Sequence, residues 1–140
     1  MQLLMADNLM GTIYCSQAAI KVMNAQESGG KILNTSSIRG WQWGGRAPVY
    51  AAAKAGVNNF TSSLARMYSP KIMINAVAPG FTKTPSYDGR NEDQVKSFLE
   101  QSKTKAWIKP EEIADAFLFL AKSDSMTGEV MYVDGGYRSR

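Results

Sequence analysis

Tyr50 and Lys54 stand four residues apart in Tyr50-Ala-Ala-Ala-Lys54, a run with no helix breaker. On an α-helix that spacing puts both side chains on one face, one turn apart. A free tyrosine titrates at about pH 10, but a neighbouring ammonium in a partly desolvated site favours the phenolate. Such a pair can give a proton to a carbonyl as a hydride arrives, or take one from an alcohol as a hydride leaves. On a solvated helix the same pair would be an ordinary exposed contact, so its meaning depends on its neighbours. Ser37 lies thirteen residues earlier, at the end of an apolar run. A hydroxyl at a strand end can hydrogen-bond a reacting carbonyl and stabilise the charge developing on it. Without Tyr50, Ser36-Ser37 would read as a plain strand exit. A second strand end, Asn75-Ala-Val-Ala-Pro79-Gly80-Phe-Thr-Lys-Thr84, leads into a turn with backbone N–H groups and hydroxyls, a second wall for one cleft.

These residues need strands and helices to hold them. Apolar positions from Leu9 to Met23 recur at helical spacing, and Gly29-Gly30 should end that helix. Lys31–Ser36 is a short apolar run suited to a buried parallel strand. Gly40 to Pro48 reads as loop. Val49–Tyr68 is Ala-rich, with Ala53, Val57, Phe60, Leu64 and Met67 as one apolar stripe, which predicts a helix. Ile72–Ala78 is a second strand, stopped by Pro79-Gly80. Glu92–Gln101 and Pro110–Ala121 are predicted helices, the latter with proline in its first turn and acids beside its positive end. Glu129–Val133 is a last strand. Alternating helix and strand predicts an α/β fold with parallel strands and crossover helices.

Bulk properties exclude several functions. The 140 residues form one domain at most, and neither repeats nor linkers interrupt them. The net charge of +4 is scattered rather than gathered into a basic stripe, which argues against nucleic acid as a partner. Histidine is absent, so imidazole catalysis and His-rich zinc sites are excluded. One cysteine, Cys15, allows no internal disulfide and suits a reducing, cytoplasmic setting. The N-terminal residues lack a cationic start, and Asp7-Asn8 breaks their apolar run, so they do not read as a signal peptide. No stretch reaches the length of a membrane span, so no membrane partner is expected.

Five motifs occur in one register: Asn34-Thr-Ser-Ser37, Tyr50-x-x-x-Lys54, Asn75-Ala-x-x-Pro79-Gly80-x-x-x-Thr84, Pro110-Glu-Glu-Ile-Ala and Thr127-Gly-Glu-Val-x-x-Val133-Asp-Gly-Gly136. Their order and spacing resemble the short-chain dehydrogenase/reductase family, including members of the 3-oxoacyl-carrier-protein reductase kind, over almost the whole chain. The resemblance implies the C-terminal half of a Rossmann-like doubly wound parallel sheet, about three strands with crossover helices. It implies an oxidoreductase using NAD or NADP that interconverts a carbonyl and a secondary alcohol. Tyr50 would be the general acid/base, and Lys54 would lower its pKa and hold the nicotinamide ribose. Ser37 would bind and polarise the substrate carbonyl. Asn8, in Asp7-Asn8-Leu9-x-Gly11, resembles the asparagine supporting a water-linked proton relay to the lysine, although it also reads as a helix-start residue. Pro79, Gly80, Phe81, Thr82 and Thr84 would lie against the cofactor, Phe81 to Thr84 holding the nicotinamide carboxamide. Full-length members would assemble as dimers or tetramers through helices resembling Leu9–Met23 and Val49–Tyr68.

One part of the family's pattern has no counterpart in residues 1–140. There is no Thr-Gly-x-x-x-Gly-x-Gly turn after a strand, and Gly29-Gly30 and Gly44-Gly45 do not have its form. That turn anchors the cofactor pyrophosphate at a helix N-terminus, so cofactor affinity of these residues alone is expected to be weak. The expectation is a partial domain over 1–140 lacking the Gly-rich half, arising from an internal methionine start, a partial gene model or a truncated frame. Two functional readings follow: an oxidoreductase working through Tyr50, or a non-catalytic fragment that joins intact relatives through its helices. The aromatic residues Trp41, Trp43, Tyr87, Phe98 and Trp107 could wall a substrate site, or serve as core.

Overall fold

The computed structural model describes residues 1–41 and 47–139. Three parallel strands form one sheet in the order β1-β2-β3: β1 (Gly30–Thr35), β2 (Ile72–Pro79) and β3 (Val130–Val133). Gly30 pairs with Ile72 and Thr35 with Val77 on one side of β2; Ala76 pairs with Val130 and Pro79 with Val133 on the other. This is the α/β architecture with a three-stranded parallel sheet expected from the alternation.

β2 is buried from Asn75 to Ala78 and again at Ile72 and Ile74. A central parallel strand has both faces covered, and alternate side chains serve opposite faces. Ile72 and Ile74 join Ile20, Ile32, Leu64 and Ala65 under the helices α2 (Gly11–Ala25) and α3 (Pro48–Tyr68). Val77 joins Ala116 and Leu120 of α5 (Pro110–Lys122) in a second cluster. Asn75 is buried among these apolar residues because both ends of its amide are used. Its Nδ2 donates to the Met126 carbonyl at 2.7 Å, and its Oδ1 accepts from the Glu129 N–H at 3.0 Å. It thereby fixes the approach to β3.

The N-terminal helix starts earlier than its apolar pattern predicts. It runs from α1 (Gln2–Met5) through a π-helical segment, Ala6–Met10, into α2. Asn8, which also reads as a helix-start residue, lies with Asp7 inside this widened segment rather than at a helix start. α2 then ends at Ala25, short of the glycines; Gly29 takes φ +63° in the turn and Gly30 opens β1. α3 starts at Pro48, and Ala53, Val57 and Leu64 of its stripe are buried. Met67 is 69% exposed, so the stripe stops covering the sheet one turn before the helix ends. α4 (Glu92–Leu99) is closed at its N-terminus by Asn91, whose Oδ1 accepts from the Gln94 N–H at 2.9 Å. At α5 the reciprocal bond is made: Glu112, in the first turn, accepts from the Lys109 N–H at 2.7 Å.

Candidate active site

Every strand delivers its C-terminal end to the same side of the sheet, as parallel pairing requires, and the chemically distinctive side chains gather there. Ser36 continues the pairing one residue past β1, its N–H donating to the Val77 carbonyl at 2.7 Å. The chain then turns through a short 3₁₀ segment, Ile38–Gly40. This turn presses against α3 so closely that a Cβ on Gly40 would lie 2.7 Å from the Lys54 carbonyl oxygen. Only glycine lets these backbones meet. Ser37 opens the turn, 8% exposed, and its Oγ accepts from the Arg39 N–H at 3.2 Å. With that lone pair occupied, the Ser37 hydroxyl hydrogen is left to point at a ligand.

Ser37 and Tyr50 line one cleft of about 470 Å³. Its floor belongs to a third cluster, in which Ile38, Phe81 and Tyr137 are buried with Tyr87, Phe98 and Trp107 against them. Tyr87 and Phe98 line the cleft itself. Trp107 stands behind Tyr87, edge to face at 4.8 Å, as core rather than wall. Trp41 is exposed, with the Arg138 guanidinium over its ring. Trp43 and the Gly44-Gly45 pair lie outside the described residues.

Lys54 lies one turn after Tyr50 and is 8% exposed. Its ammonium donates to the Thr35 carbonyl at 3.0 Å and sits 5.7 Å from the Tyr50 ring centroid. Burial lowers the Lys54 pKa below its ordinary value, because the charged form has lost water. Lys54 also lines a second cleft of about 500 Å³ between α2 and β1, where Thr12, Ser16 and Asn34 supply polar groups. The pair is thus divided between two clefts, Tyr50 facing one and Lys54 the other.

Asn8 stands in the π-helical segment, and its Nδ2 donates to the Leu4 carbonyl at 3.1 Å. It makes no direct link to Lys54. After β2, Gly80 donates its N–H to the Val133 carbonyl at 2.8 Å, and a Cβ there would meet the Asp134 Cα at 2.8 Å. Phe81 is buried with its ring on Phe98 and Tyr137. The Thr82 hydroxyl donates to the Gly80 carbonyl at 3.2 Å, and the Thr84 and Ser86 hydroxyls are 2.7 Å apart. The loop after Pro79 is therefore braced.

Three contributors lay outside the sequence-derived set. Asn58 is at i+4 from Lys54 on the same face of α3. Its Oδ1 accepts a short hydrogen bond from Ser36, and its Nδ2 donates to the Tyr132 hydroxyl at 3.4 Å. It ties α3 to the ends of β1 and β3. Its spacing from Tyr50 and Lys54 was a usable signal. Arg39 and Arg90 also line the Tyr50 cleft. Nothing in the chain order brings Arg90 there, so that placement emerges only from the fold. Among the described residues no group of three His, Cys, Asp or Glu could hold a metal ion.

A family model described as enoyl-(acyl carrier protein) reductase matches residues 1–138. The chain belongs to the short-chain dehydrogenase/reductase family. It is 41% identical to the 7alpha-hydroxysteroid dehydrogenase of Bacteroides fragilis, over 92% of this chain and 51% of that protein. It is 36% identical to the 3-oxoacyl-[acyl-carrier-protein] reductase of a Synechocystis species, over 92% of this chain and 52% of that protein. Among solved structures, ElxO with NADP bound superposes with a TM-score of 0.87 at 32% identity, over 95% of this chain and 56% of ElxO. The chain spans about half the length of the curated relatives it matches.

Proposed function

We propose that this chain carries the proton-transfer half of an NAD(P)-dependent oxidoreductase that interconverts a carbonyl and a secondary alcohol. The observation that carries this reading is the placement of Ser37 and Tyr50 on one cleft, with the Lys54 ammonium 5.7 Å behind the Tyr50 ring. In this reading the Ser37 hydroxyl donates to the substrate oxygen, while the Tyr50 phenol gives it a proton during reduction and takes one back during oxidation. Lys54 places a cation one helical turn from the phenol, 5.7 Å from the ring centroid. Asn8 would support a water-linked relay toward Lys54.

The residues present fit one end of a nicotinamide cofactor, which when bound supplies or accepts the hydride. The Lys54 ammonium opens onto a polar cleft suited to ribose hydroxyls. Pro79, Gly80, Phe81, Thr82 and Thr84 form a rigid edge on which backbone groups and the Thr84 hydroxyl would meet the carboxamide. The pyrophosphate grip is not in these 140 residues, and we assign it to polypeptide outside them, residues 1–140 forming the C-terminal part of the dinucleotide-binding domain. We further propose a cytoplasmic protein that assembles as a dimer or tetramer.

The test is ketone reduction with NADPH or NADH deuterated at the transferable position, by the protein expressed with any coding sequence adjoining residue 1. Deuterium on the carbinol carbon of the product is expected. Product carrying only solvent hydrogen at that carbon, or no reduction of any ketone tried, overturns the reading.

A further inference from the structure

After β3 the chain turns beside the strand ends, in residues that the Ser37, Tyr50 and Lys54 set does not use. Gly135 and Gly136 follow Asp134 with φ of +59° and +79°, and this left-handed pair folds the chain back on itself. The Asp134 carboxylate gathers what comes round. Its Oδ1 accepts from the Gly136 N–H at 2.9 Å, and its Oδ2 accepts from the Arg138 N–H and from Arg138 Nε, each at 3.2 Å. The Asp134 side chain is 11% exposed, so the carboxylate is a fixed anchor for the arginine.

Held in this way, the Arg138 guanidinium lies over two rings, 3.4 Å from the Tyr132 centroid and 5.7 Å from the Trp41 centroid. A guanidinium can stack on aromatic faces while its Nε–H still serves a carboxylate. The two rings belong to different parts of the fold: Tyr132 to β3, and Trp41 to the end of the turn that Ser37 opens. Both ends of that turn lead to Arg138. At the far end the Trp41 N–H donates to the Ile38 carbonyl at 3.2 Å, and its ring meets the guanidinium directly. At the near end Ser36 bonds Asn58, whose Nδ2 donates to the hydroxyl of the same Tyr132 that carries Arg138. Between them the Gly40 N–H donates to the Ser37 carbonyl at 2.9 Å, which makes the turn one hydrogen-bonded unit. Arg138 itself is not among the described lining residues of either cleft.

We propose that Arg138 is a positioning residue for Ser37: by joining Trp41 to Tyr132 it ties the Ser37 turn to the end of β3 and fixes the place from which the Ser37 hydroxyl reaches a ligand. The consequence for turnover rests on the oxidoreductase reading, whereas the hold on the turn does not.

Two arms separate these parts, both run on the protein expressed with any coding sequence adjoining residue 1. Hydrogen exchange followed by mass spectrometry compares the peptide covering 36–41 with that covering β2. Arg138→Gln should speed exchange in 36–41 at least about fivefold, the loss expected of a stacked cation, and leave β2 unchanged. Arg138→Lys, which keeps a cation for the rings, should recover part of the protection. Trp41→Leu removes the contact from its other side and should speed the same amides, a second variant should Arg138→Gln unsettle the C-terminal segment. In ketone reduction, Arg138→Gln should lower kcat/KM for the ketone at least about fivefold while KM for NADPH stays near that of the parent. In a Ser37→Ala background the same replacement should have no further effect, because the group being positioned is gone. Unchanged exchange in 36–41 for both Arg138→Gln and Trp41→Leu overturns the proposal, as does exchange that rises equally in β2. An undiminished effect of Arg138→Gln in the Ser37→Ala background also overturns it, since Arg138 would then act independently of Ser37. Faster exchange confined to the turn, in a protein that reduces no ketone, would leave the hold of Arg138 on the turn standing and remove the oxidoreductase reading.

Discussion

Lys54 is the residue in which burial and chemistry are most tightly joined. Lys54 is buried, and its ammonium donates to one carbonyl, that of Thr35. Burial lowers its pKa, so the folded protein holds the proton less tightly than the unfolded chain does. Between the lowered value and the ordinary one, the unfolded state binds more protons, and stability must rise with pH in that window. Below the lowered pKa the full penalty of the buried charge remains. Replacing Lys54 by Met should therefore flatten the rise in stability on the alkaline side, as read by urea unfolding at stepped pH. An unchanged slope would show that the ammonium is solvated in the fold. The neighbouring Asn58 shows how much of this was legible beforehand. The Tyr50, Lys54, Asn58 ladder is plain in the numbering, but the Ser36 and Tyr132 partners that give Asn58 a purpose lie far away in the chain.

At the scale of elements, the site depends on how closely the turn after β1 meets α3. Both were expected from the sequence: β1 from its apolar run and α3 from its stripe. The contact between them was hidden, because Gly40 read as the first residue of a loop. In the fold it closes a turn, its N–H donating to the Ser37 carbonyl at 2.9 Å, with its missing side chain directed at the Lys54 backbone. A Gly40→Ala methyl must push the Ser37 turn away from α3, at a cost of about 1–3 kcal/mol by the usual scale of overpacking. The expected result is a lower urea midpoint together with weaker turnover of the proposed carbonyl reduction. A variant as stable and active as the parent would mean the turn yields freely. The N-terminal helix was less legible for a different reason. Asp7 and Asn8 break a regular apolar pattern, yet a π-helical segment takes such residues in without ending the helix, and Asn8 satisfies its amide on the Leu4 carbonyl.

Over the whole molecule, one sheet brings two kinds of cleft side by side: a polar one along β1 and α2, and an aromatic, cationic one above the strand ends. Among the described residues β1 is paired on one side only, with β2, and Leu3, Tyr14, Val22 and Phe119 are among the large apolar side chains left exposed. No helix among the described residues is long and apolar enough to cross a membrane. The five motifs made the sheet and the Tyr50 cleft readable because each marks a strand end or a helix start. The placement of Arg39 and Arg90 on one cleft was not readable, because they lie 51 positions apart in the chain and share no motif. What the whole arrangement is proposed to do turns on one phenol. Tyr50→Phe keeps the ring and the packing but removes the proton. In the protein expressed with any coding sequence adjoining residue 1, the account predicts that kcat for ketone reduction falls at least about a hundredfold, while the affinity for NADPH and the unfolding midpoint stay near those of the parent. Turnover equal to the parent's would contradict it.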